Sequence, residues 1–264
     1  MTSSGSVWLP PLFVSHGAPT LALTPGRTGP AWAKLGQEMP RPQAIVAVSA
    51  HWTTRQPALS SHPAPPTLHD FYGFPDALHA LRYPAPGAPA LAEELAQRLT
   101  GATLAPERGL DHGAWVPLSF LYPEADVPVI QLSVMPQATP EDHYHLGRAL
   151  ADLPGRGILV LASGSLTHNL GDVQWDAADG LALPYVTEFR DWFAAALTRG
   201  DLPALFDYRR QAPHAHRAHP SEEHLLPLYV ALGAAGERPH SRCLFQETTL
   251  AALAMEAYTF TAGE

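Results

Sequence analysis

The architecture of the chain follows from the stretch Ala44-Ile45-Val46-Ala47-Val48-Ser49-Ala50-His51-Trp52. Six of its first seven residues are apolar, and several of them are β-branched. A short apolar run of this kind, preceded by Pro40 and Pro42, predicts a central strand of a sheet that is covered on both faces. His51 follows where the apolar run ends, and open α/β sheets bind their ligands at that end of the strands.

The same pattern recurs at two other places in the chain. Residues 12–15 run into His16-Gly17, and residues 157–164 run on to His168, whereas the similar run at 127–133 has no histidine after it. One such histidine is usually a structural residue. Three histidines at equivalent strand ends can converge on one point, so the pattern predicts an α/β fold with a ligand site at the carboxyl ends of its strands.

Composition narrows the class of protein. The 264 residues fit one α/β domain spanning 1–264, because no low-complexity linker divides them. A formal net charge of -9 argues against nucleic acid as a partner, since binding phosphates needs a basic face. Cys243 is the one cysteine, which excludes an internal disulfide framework and a multi-thiolate zinc site. We see neither a signal peptide nor a membrane span and expect a cytoplasmic protein.

Apolar spacing and capping residues predict the helices. The predicted helices cover residues 30–39, 89–99, 111–121, 140–153, 186–199, 201–210 and 221–233, and one or two last strands are expected within 242–260. Asp111 and Ser221 are the expected N-caps. Glu222 and Glu223 then lie in the first turn of a helix, where the helix dipole favours acidic residues.

Several histidines and aromatic residues allow two interpretations. Residues 68–75, Leu-His-Asp-Phe-Tyr-Gly-Phe-Pro, are either a packed surface loop or a wall over an aromatic-substrate pocket. His143 and His145 lie two apart on one predicted helix and are expected to be structural, because they face different directions. The cluster at 214–219 is interpreted as surface or loop histidines.

The strand-end histidines suggest metal chemistry. His16, His51 and one group from Glu223-His224 could bind a divalent ion on one face, because imidazoles with or without a carboxylate suit zinc and iron. His112 and His168 both lie in turns near glycine and would then serve as acids or bases beside the metal.

Motifs in the same order along the chain carry a family resemblance. They are Ser15-His16-Gly17-Ala18-Pro19, Arg41-Pro42-Gln43-Ala44-Ile45, Ser49-Ala50-His51-Trp52, His69-Asp70-Phe71-Tyr72-Gly73-Phe74-Pro75, Tyr83-Pro84-Ala85-Pro86-Gly87, Asp111-His112-Gly113-Ala114-Trp115, the run from Ala162 to Leu170, and Glu223-His224-Leu225-Leu226-Pro227-Leu228. With these motifs the chain resembles the class III extradiol ring-cleavage dioxygenases, most closely the DOPA-dioxygenase type, from residue 11 to about 235.

The resemblance implies a fold, a metal and its ligands. It implies a single α/β domain with a central mixed sheet flanked by helices, and one Fe(II) or Zn(II) per chain at the strand ends. It gives His16 and His51 as metal ligands and His224 as the third, with Glu223 as the second choice. With zinc, His168 is a possible fourth ligand.

The resemblance also implies roles in catalysis. His168 becomes the acid/base residue and His112 a catalytic partner in the substrate pocket. His69 would orient the substrate, and Trp52, Phe71 and Tyr72 would form aromatic walls. The expected activity is extradiol opening of a catechol, DOPA-like, by dioxygen to a muconic semialdehyde.

Two other classes remain open at this point. One is a zinc-dependent hydrolase with a metal-bound water as nucleophile, and the other is a non-catalytic binding scaffold of the same fold. The retained histidines at 16, 51, 112 and 168 argue against the scaffold. A homo-oligomer is possible.

Overall fold

A computed structural model describes residues 8–178 and 180–263. In these residues the strands are β1 Leu12–Ser15, β2 Ala44–Thr53, β3 Ala58–Ser60, β4 Thr103–Ala105, β5 Val129–Val134, β6 Ile158–Gly164, β7 Pro239–Phe245, β8 Thr248–Thr249, β9 Leu253–Ala254 and β10 Ala257–Ala262. The helices are α1 Thr28–Glu38, α2 Asp76–Ala80, α3 Pro89–Arg98, α4 His112–Leu121, α5 Pro140–Arg148, α6 Pro184–Arg199, α7 Leu202–Phe206, α8 Tyr208–Gln211, α9 Ala215–Ala218 and α10 Leu226–Ala234.

One mixed sheet forms the centre of the fold, with its strands in the order β4-β3-β5-β2-β6-β1-β10-β7. Strands β5, β2, β6 and β1 run parallel to one another. Antiparallel pairing begins where β3 joins β5 and where β10 joins β1. The sheet is flanked by helices, so the prediction of a single α/β domain around a central mixed sheet is confirmed.

Strand β2 lies inside the sheet and is covered on both faces. Ile45 packs in the same apolar cluster as Trp115 of α4. Val46, whose side chain points to the opposite face, packs in the cluster that contains Leu95 of α3 and Val230 of α10. Burial on both faces explains why the run 44–50 is apolar without alternation.

The helix expected from residue 221 begins later. Residues 220–225 form turns, and α10 starts at Leu226. The His224 carbonyl accepts a hydrogen bond from the Ser165 amide at 2.8 Å. This bond holds the turn that contains His224 against the end of β6. Ser221 is therefore not an N-cap. Its hydroxyl donates to the carboxylate of Glu223 at 3.0 Å.

Three other local predictions need correction. Residues 56–87, for which the sequence analysis predicts no strand or helix, contain β3 and α2. Helix α5 ends at Arg148 rather than at residue 153, because the chain turns there toward β6. His219 lies in a loop but is fully buried, and its ring bonds to the Leu166 carbonyl at 2.8 Å and packs against Phe189. Among the described residues, no helix has the length and apolar character needed to cross a membrane.

Candidate functional site

Three chain segments meet at the carboxyl ends of β1, β2 and β6. The His16 amide, directly after β1, donates to the Gly164 carbonyl at 2.9 Å. His51 lies near the end of β2, and the turn that contains His224 is bonded to Ser165. Backbone hydrogen bonds thus hold two of the three histidine segments against the end of β6.

Two glycines make this close packing possible. A Cβ on Gly164 would lie 2.0 Å from the His224 carbonyl oxygen. A Cβ on Gly113 would lie 2.4 Å from the Ser49 hydroxyl and 3.0 Å from Cδ2 of His51. Any side chain at either position would therefore push the histidine segments apart.

The imidazoles of His16, His51 and His224 converge through their Nε2 atoms. The Nε2 atom of His51 lies 2.9 Å from that of His16 and 3.3 Å from that of His224. All three rings are largely shielded from solvent. The sequence prediction that places these residues together agrees with this geometry.

The Nδ1 atoms face away from this point, toward oxygen atoms. His16 Nδ1 lies 3.0 Å from the Ser163 hydroxyl, which itself donates to the Gly113 carbonyl. The hydroxyl must therefore accept from His16, so the proton of that neutral ring is on Nδ1. His224 Nδ1 lies 3.1 Å from the carboxylate of Glu223 and likewise carries the proton. Glu223 consequently stands behind His224, on the side away from the convergence point.

This tautomer pattern leaves unprotonated nitrogens facing one another. His16 and His224 both direct an Nε2 lone pair toward His51, whose single ring proton cannot satisfy both. A cation between the three nitrogens removes the conflict. Nitrogens that bind one ion at about 2.0–2.1 Å, at angles between roughly 90° and 109°, are separated by roughly 2.8–3.4 Å. The residues present therefore fit a divalent metal.

His112 adjoins the three imidazoles from the first residue of α4. Its backbone amide donates to Asp70 at 2.9 Å, and its Nδ1 lies 3.0 Å from the same carboxylate oxygen. Its ring centroid is 3.9 Å from that of His51. Asp111 is the predicted N-cap of this helix, and it also accepts from Ser49 at 2.6 Å. Sequence reasoning assigned no role to Asp70, because its approach to His112 depends on how the loop 61–75 folds back.

His168 completes the group of five imidazoles. Its ring stacks on that of His224, with centroids 3.4 Å apart and planes 7° from parallel. Ligand atoms of His168, Glu223 and His224 all lie within 4.8 Å of one another, as do those of His16, His51 and His112. The two trios form one continuous cluster.

Burial keeps four of the imidazoles uncharged at neutral pH, those of His16, His51, His168 and His224. Desolvation and the nearby His112 lower the pKa of His51 to about 4, although Asp111 and Asp70 oppose the shift. Desolvation, followed by the charge of His51, lowers the pKa of His168 to about 4. The pKa values of His16 and His224 also fall well below the usual value, mainly through burial. Neutral imidazoles are the form that binds metals.

The imidazoles form the floor of a cavity of about 340 Å³. Its described lining consists of the five histidines with Gly17, Ala18, Pro19, Phe71, Phe74, Leu170, Val173, Trp175, Leu250 and Leu253. A mostly apolar cleft with a few convergent polar groups is the usual form of a small-molecule site.

The residues predicted to bind substrate lie at different distances from this cavity. Phe71 lines it and contacts His112 edge to face, with ring centroids 5.7 Å apart. His69 lies outside the described lining and bonds to the Leu81 carbonyl at 3.0 Å. Trp52 lies beneath the guanidinium of Arg108, 5.0 Å from its ring centroid. Tyr72 is 91% exposed and also lies outside the lining.

The aromatic and apolar residues at 170–175 had no assigned role in the sequence analysis. Leu170 and Trp175 line the cavity and are among the most exposed large apolar side chains of the described chain. Their one sequence signal is the position directly after the strand-end motif that contains His168.

Known proteins are similar to this chain over most of its length. The family model of the catalytic LigB subunit of aromatic ring-opening dioxygenase matches residues 27–256. The 4,5-DOPA dioxygenase extradiol of Beta vulgaris is 39% identical over 257 residues, which cover 94% of this chain and 95% of that protein. The protein of the same name from Escherichia coli K12 is 41% identical over 241 residues, 89% and 88% of the two chains.

A solved structure shows the same architecture. The crystal structure of the uncharacterized protein JW3007 from Escherichia coli K12 superposes with a TM-score of 0.78 and 33% sequence identity, covering 97% of this chain and 100% of that chain. With the family match over most of its length, the chain belongs to the LigB family and is an aromatic ring-opening dioxygenase, as the sequence resemblance predicts.

Proposed function

We propose that the protein opens the ring of a catechol by extradiol cleavage with dioxygen, giving a muconic semialdehyde, with one divalent ion held by His16, His51 and His224. The observation that carries the proposal is the convergence of three Nε2 atoms, at 2.9 and 3.3 Å, on the floor of an otherwise apolar cavity. The names of the relatives favour a DOPA-like catechol.

Iron suits this reaction better than zinc. Bound Fe(II) would stabilise the catecholate as a Lewis acid and exchange electrons with catechol and dioxygen, whereas zinc has no redox chemistry. A site built from histidines on one side of the ion leaves positions open for substrate. The carboxylate of Glu223 orients His224 through its Nδ1 proton and makes that ring a better donor.

His168 would transfer protons, and His112 would orient the substrate. His168 is neutral at neutral pH, because burial lowers its pKa, so it can accept the proton of a catechol hydroxyl and later return it. His112 is fixed by Asp70 beside His51 and would orient a substrate oxygen. Phe71 would pack against the catechol ring. Trp52, His69 and Tyr72 lie outside the described lining, so their proposed roles in substrate binding would be indirect. Of the three, His69 contacts Phe71, with ring centroids 5.7 Å apart.

Anaerobic loading with Fe(II), followed by catechol and dioxygen, tests the proposal. We expect uptake of one dioxygen per catechol and a yellow product, both lost in His51→Ala and kept in His145→Ala, an exposed histidine of α5. Zinc-dependent hydrolysis of an ester without oxygen uptake would favour a hydrolase. Catechol binding without either reaction would indicate a scaffold. A cytoplasmic location and a homo-oligomeric state stay predictions.

A further inference from the structure

His51 lies where the backbone pairing of β2 is interrupted. The register of β2 against β5 shifts between Val48 and Thr53, and its pairing with β6 extends to Ser49. Side chains bind the backbone in this gap. The His51 amide donates to the Ser49 hydroxyl at 3.2 Å, and the His51 carbonyl accepts from the guanidinium of Arg108 at 3.4 Å. The direction in which His51 leaves the sheet therefore depends on these two side chains as well as on the strand.

Both side chains are bound to one buried carboxylate, that of Asp111. It accepts from the Ser49 hydroxyl at 2.6 Å and from the Arg108 guanidinium at 2.5 Å. Gln131 of β5 donates to it at 2.8 Å, and the Ala114 amide of α4 donates to it at 3.2 Å. The side chain of Asp111 is fully shielded from solvent, whereas that of Arg108 is 20% exposed. The carboxylate therefore ties β2, β5 and the start of α4 together.

The same carboxylate stands next to a second imidazole of the site. His112 follows Asp111 directly as the first residue of α4, and its ring centroid is 3.9 Å from that of His51. Burying a carboxylate is costly unless hydrogen bonds and a cation compensate it. A buried network whose members are satisfied makes the surrounding arrangement rigid. Here the arrangement contains one proposed metal ligand and one proposed substrate partner.

We propose that Arg108 and Asp111 are positioning residues of the ring-opening site, which hold His51 in the orientation in which it binds the metal. Neither belongs to the described lining of the cavity, so they act through Ser49 and the backbone of β2. The inference rests on the proposed function, because it takes His51 as a metal ligand. It extends that function from the ligands to the side chains that orient one of them.

Zinc affinity, measured by chelator competition without substrate or dioxygen, tests the inference. Arg108→Ala removes the bonds to Asp111 and to the His51 carbonyl. Since outer partners of metal ligands are typically worth 10–100-fold in affinity, we expect zinc to bind at least roughly 10-fold more weakly. Arg156→Ala is the matched control, because it removes a guanidinium that binds Glu94 at 2.6 and 2.8 Å just before β6, at the opposite end of the strands. It should bind zinc as the parent protein does, and parent-like affinity in Arg108→Ala or equal losses in both variants would overturn the inference.

Arg108→Lys separates positioning from stability. The ammonium can still pair with Asp111, so the free energy of unfolding of the metal-free protein should lie closer to that of the parent than in Arg108→Ala. A single point charge cannot also hold the His51 carbonyl as the planar guanidinium does, so zinc affinity should stay reduced. Parent-like zinc affinity in the lysine variant, or affinity losses that simply follow the losses of stability in all three arginine variants, would show that Arg108 serves stability alone.

Ser49→Ala tests the second connection to His51. It removes the hydroxyl between the Asp111 carboxylate and the His51 amide and leaves Arg108 in place. The visible absorption bands of the cobalt-loaded protein report ligand geometry, and we expect them to shift in Ser49→Ala and in Arg108→Ala. Ser119→Ala removes a hydroxyl that bonds to a carbonyl within α4, and it should leave the bands unchanged. Parent-like bands in both Ser49→Ala and Arg108→Ala would contradict the positioning role.

His51→Ala distinguishes failure of this inference from failure of the proposed function. If His51→Ala loses zinc while Arg108→Ala and Ser49→Ala keep it, the metal centre stands and the positioning inference fails. If the zinc affinities differ as expected but the iron-loaded parent opens no catechol, the proposed reaction fails and the positioning inference stands. If His51→Ala keeps full zinc affinity, His51 is not a ligand, and the positioning inference is overturned together with that assignment.

Discussion

The rings of His168 and His224 lie face to face, 3.4 Å apart and 7° from parallel. An imidazole holds a metal close to its own ring plane, at about 2.1 Å from the nitrogen. In this stack His168 presents the face of its ring, and not a nitrogen, to His224. This arrangement favours His168 as a proton carrier beside the metal, and the prediction that it becomes a fourth zinc ligand requires its ring to turn first.

Replacing His168 should separate catalysis from metal binding. His168→Ala removes the proton carrier, so we expect turnover to fall by roughly 10²–10⁴-fold while one metal per chain is retained. His168→Phe is the matched variant, because it keeps an aromatic ring against His224 but has no nitrogen, and it should be equally slow. Elemental analysis measures the metal content of each variant, and oxygen uptake measures its turnover. Near-normal turnover in either variant would remove His168 from the mechanism.

The third metal ligand can be identified by comparing neighbouring residues. His224→Ala removes a nitrogen at the convergence point and should abolish stable metal binding. Glu223→Gln removes only the carboxylate behind Nδ1, and outer-shell changes of this kind weaken metal affinity by roughly 10–100-fold. Competition with a chelator measures the metal affinity of each variant. His145→Ala is the control and should bind metal as the parent protein does. Stronger metal loss in Glu223→Gln than in His224→Ala would make Glu223 the ligand.

Gly164→Ala should disrupt the fold at the site. The new Cβ would lie 2.0 Å from the His224 carbonyl oxygen, so the turn must move and its hydrogen bond to Ser165 is lost. Overpacking of this kind costs about 1–3 kcal/mol or more of the free energy of unfolding. Gly155→Ala is the control, because its Cβ would meet no heavy atom of the described residues within 4 Å. Denaturant unfolding of both variants measures the difference, and equal stability would contradict the close approach.

Stability should fall as the pH is lowered from 6.5. Burial lowers the pKa of His219 from the ordinary value of 6.5, which the unfolded chain retains, to about 3 in the folded protein. Between these pH values the unfolded chain binds a proton that folded His219 does not, so the free energy of unfolding decreases as pH falls.

A variant without the titrating ring isolates this contribution. In His219→Gln the amide can still donate to the Leu166 carbonyl, and the loss of stability between pH 6.5 and 4.5 should be smaller than in the parent protein. Denaturant titrations of the metal-free proteins at several pH values give both slopes. The same slope in both proteins would show that His219 titrates normally in the folded state.

The sequence predicts the part of the site that depends on strand periodicity. His16 and His51 follow apolar runs directly, so their meeting at one sheet edge can be inferred from the runs alone. His224 cannot be placed in this way, because its position depends on a backbone bond to Ser165 that no local pattern encodes. The sequence named the pair Glu223-His224 as a candidate, and the family resemblance favoured His224 of the two. His219 was expected at the surface or in a loop, and its loop position is correct. Its burial could not be predicted, because it depends on long-range contacts with Phe189 and Leu166.

The order of the strands has a consequence for synthesis of the protein. His16 and His51 precede His224 by most of the chain, and β10, which pairs with β1, comes later still. A nascent chain therefore has two of the three nitrogens long before the third has left the ribosome. If these residues bind an ion as proposed, stable capture must wait until residue 224 has been made, and a truncated chain that ends before it would lack the third imidazole of the cluster.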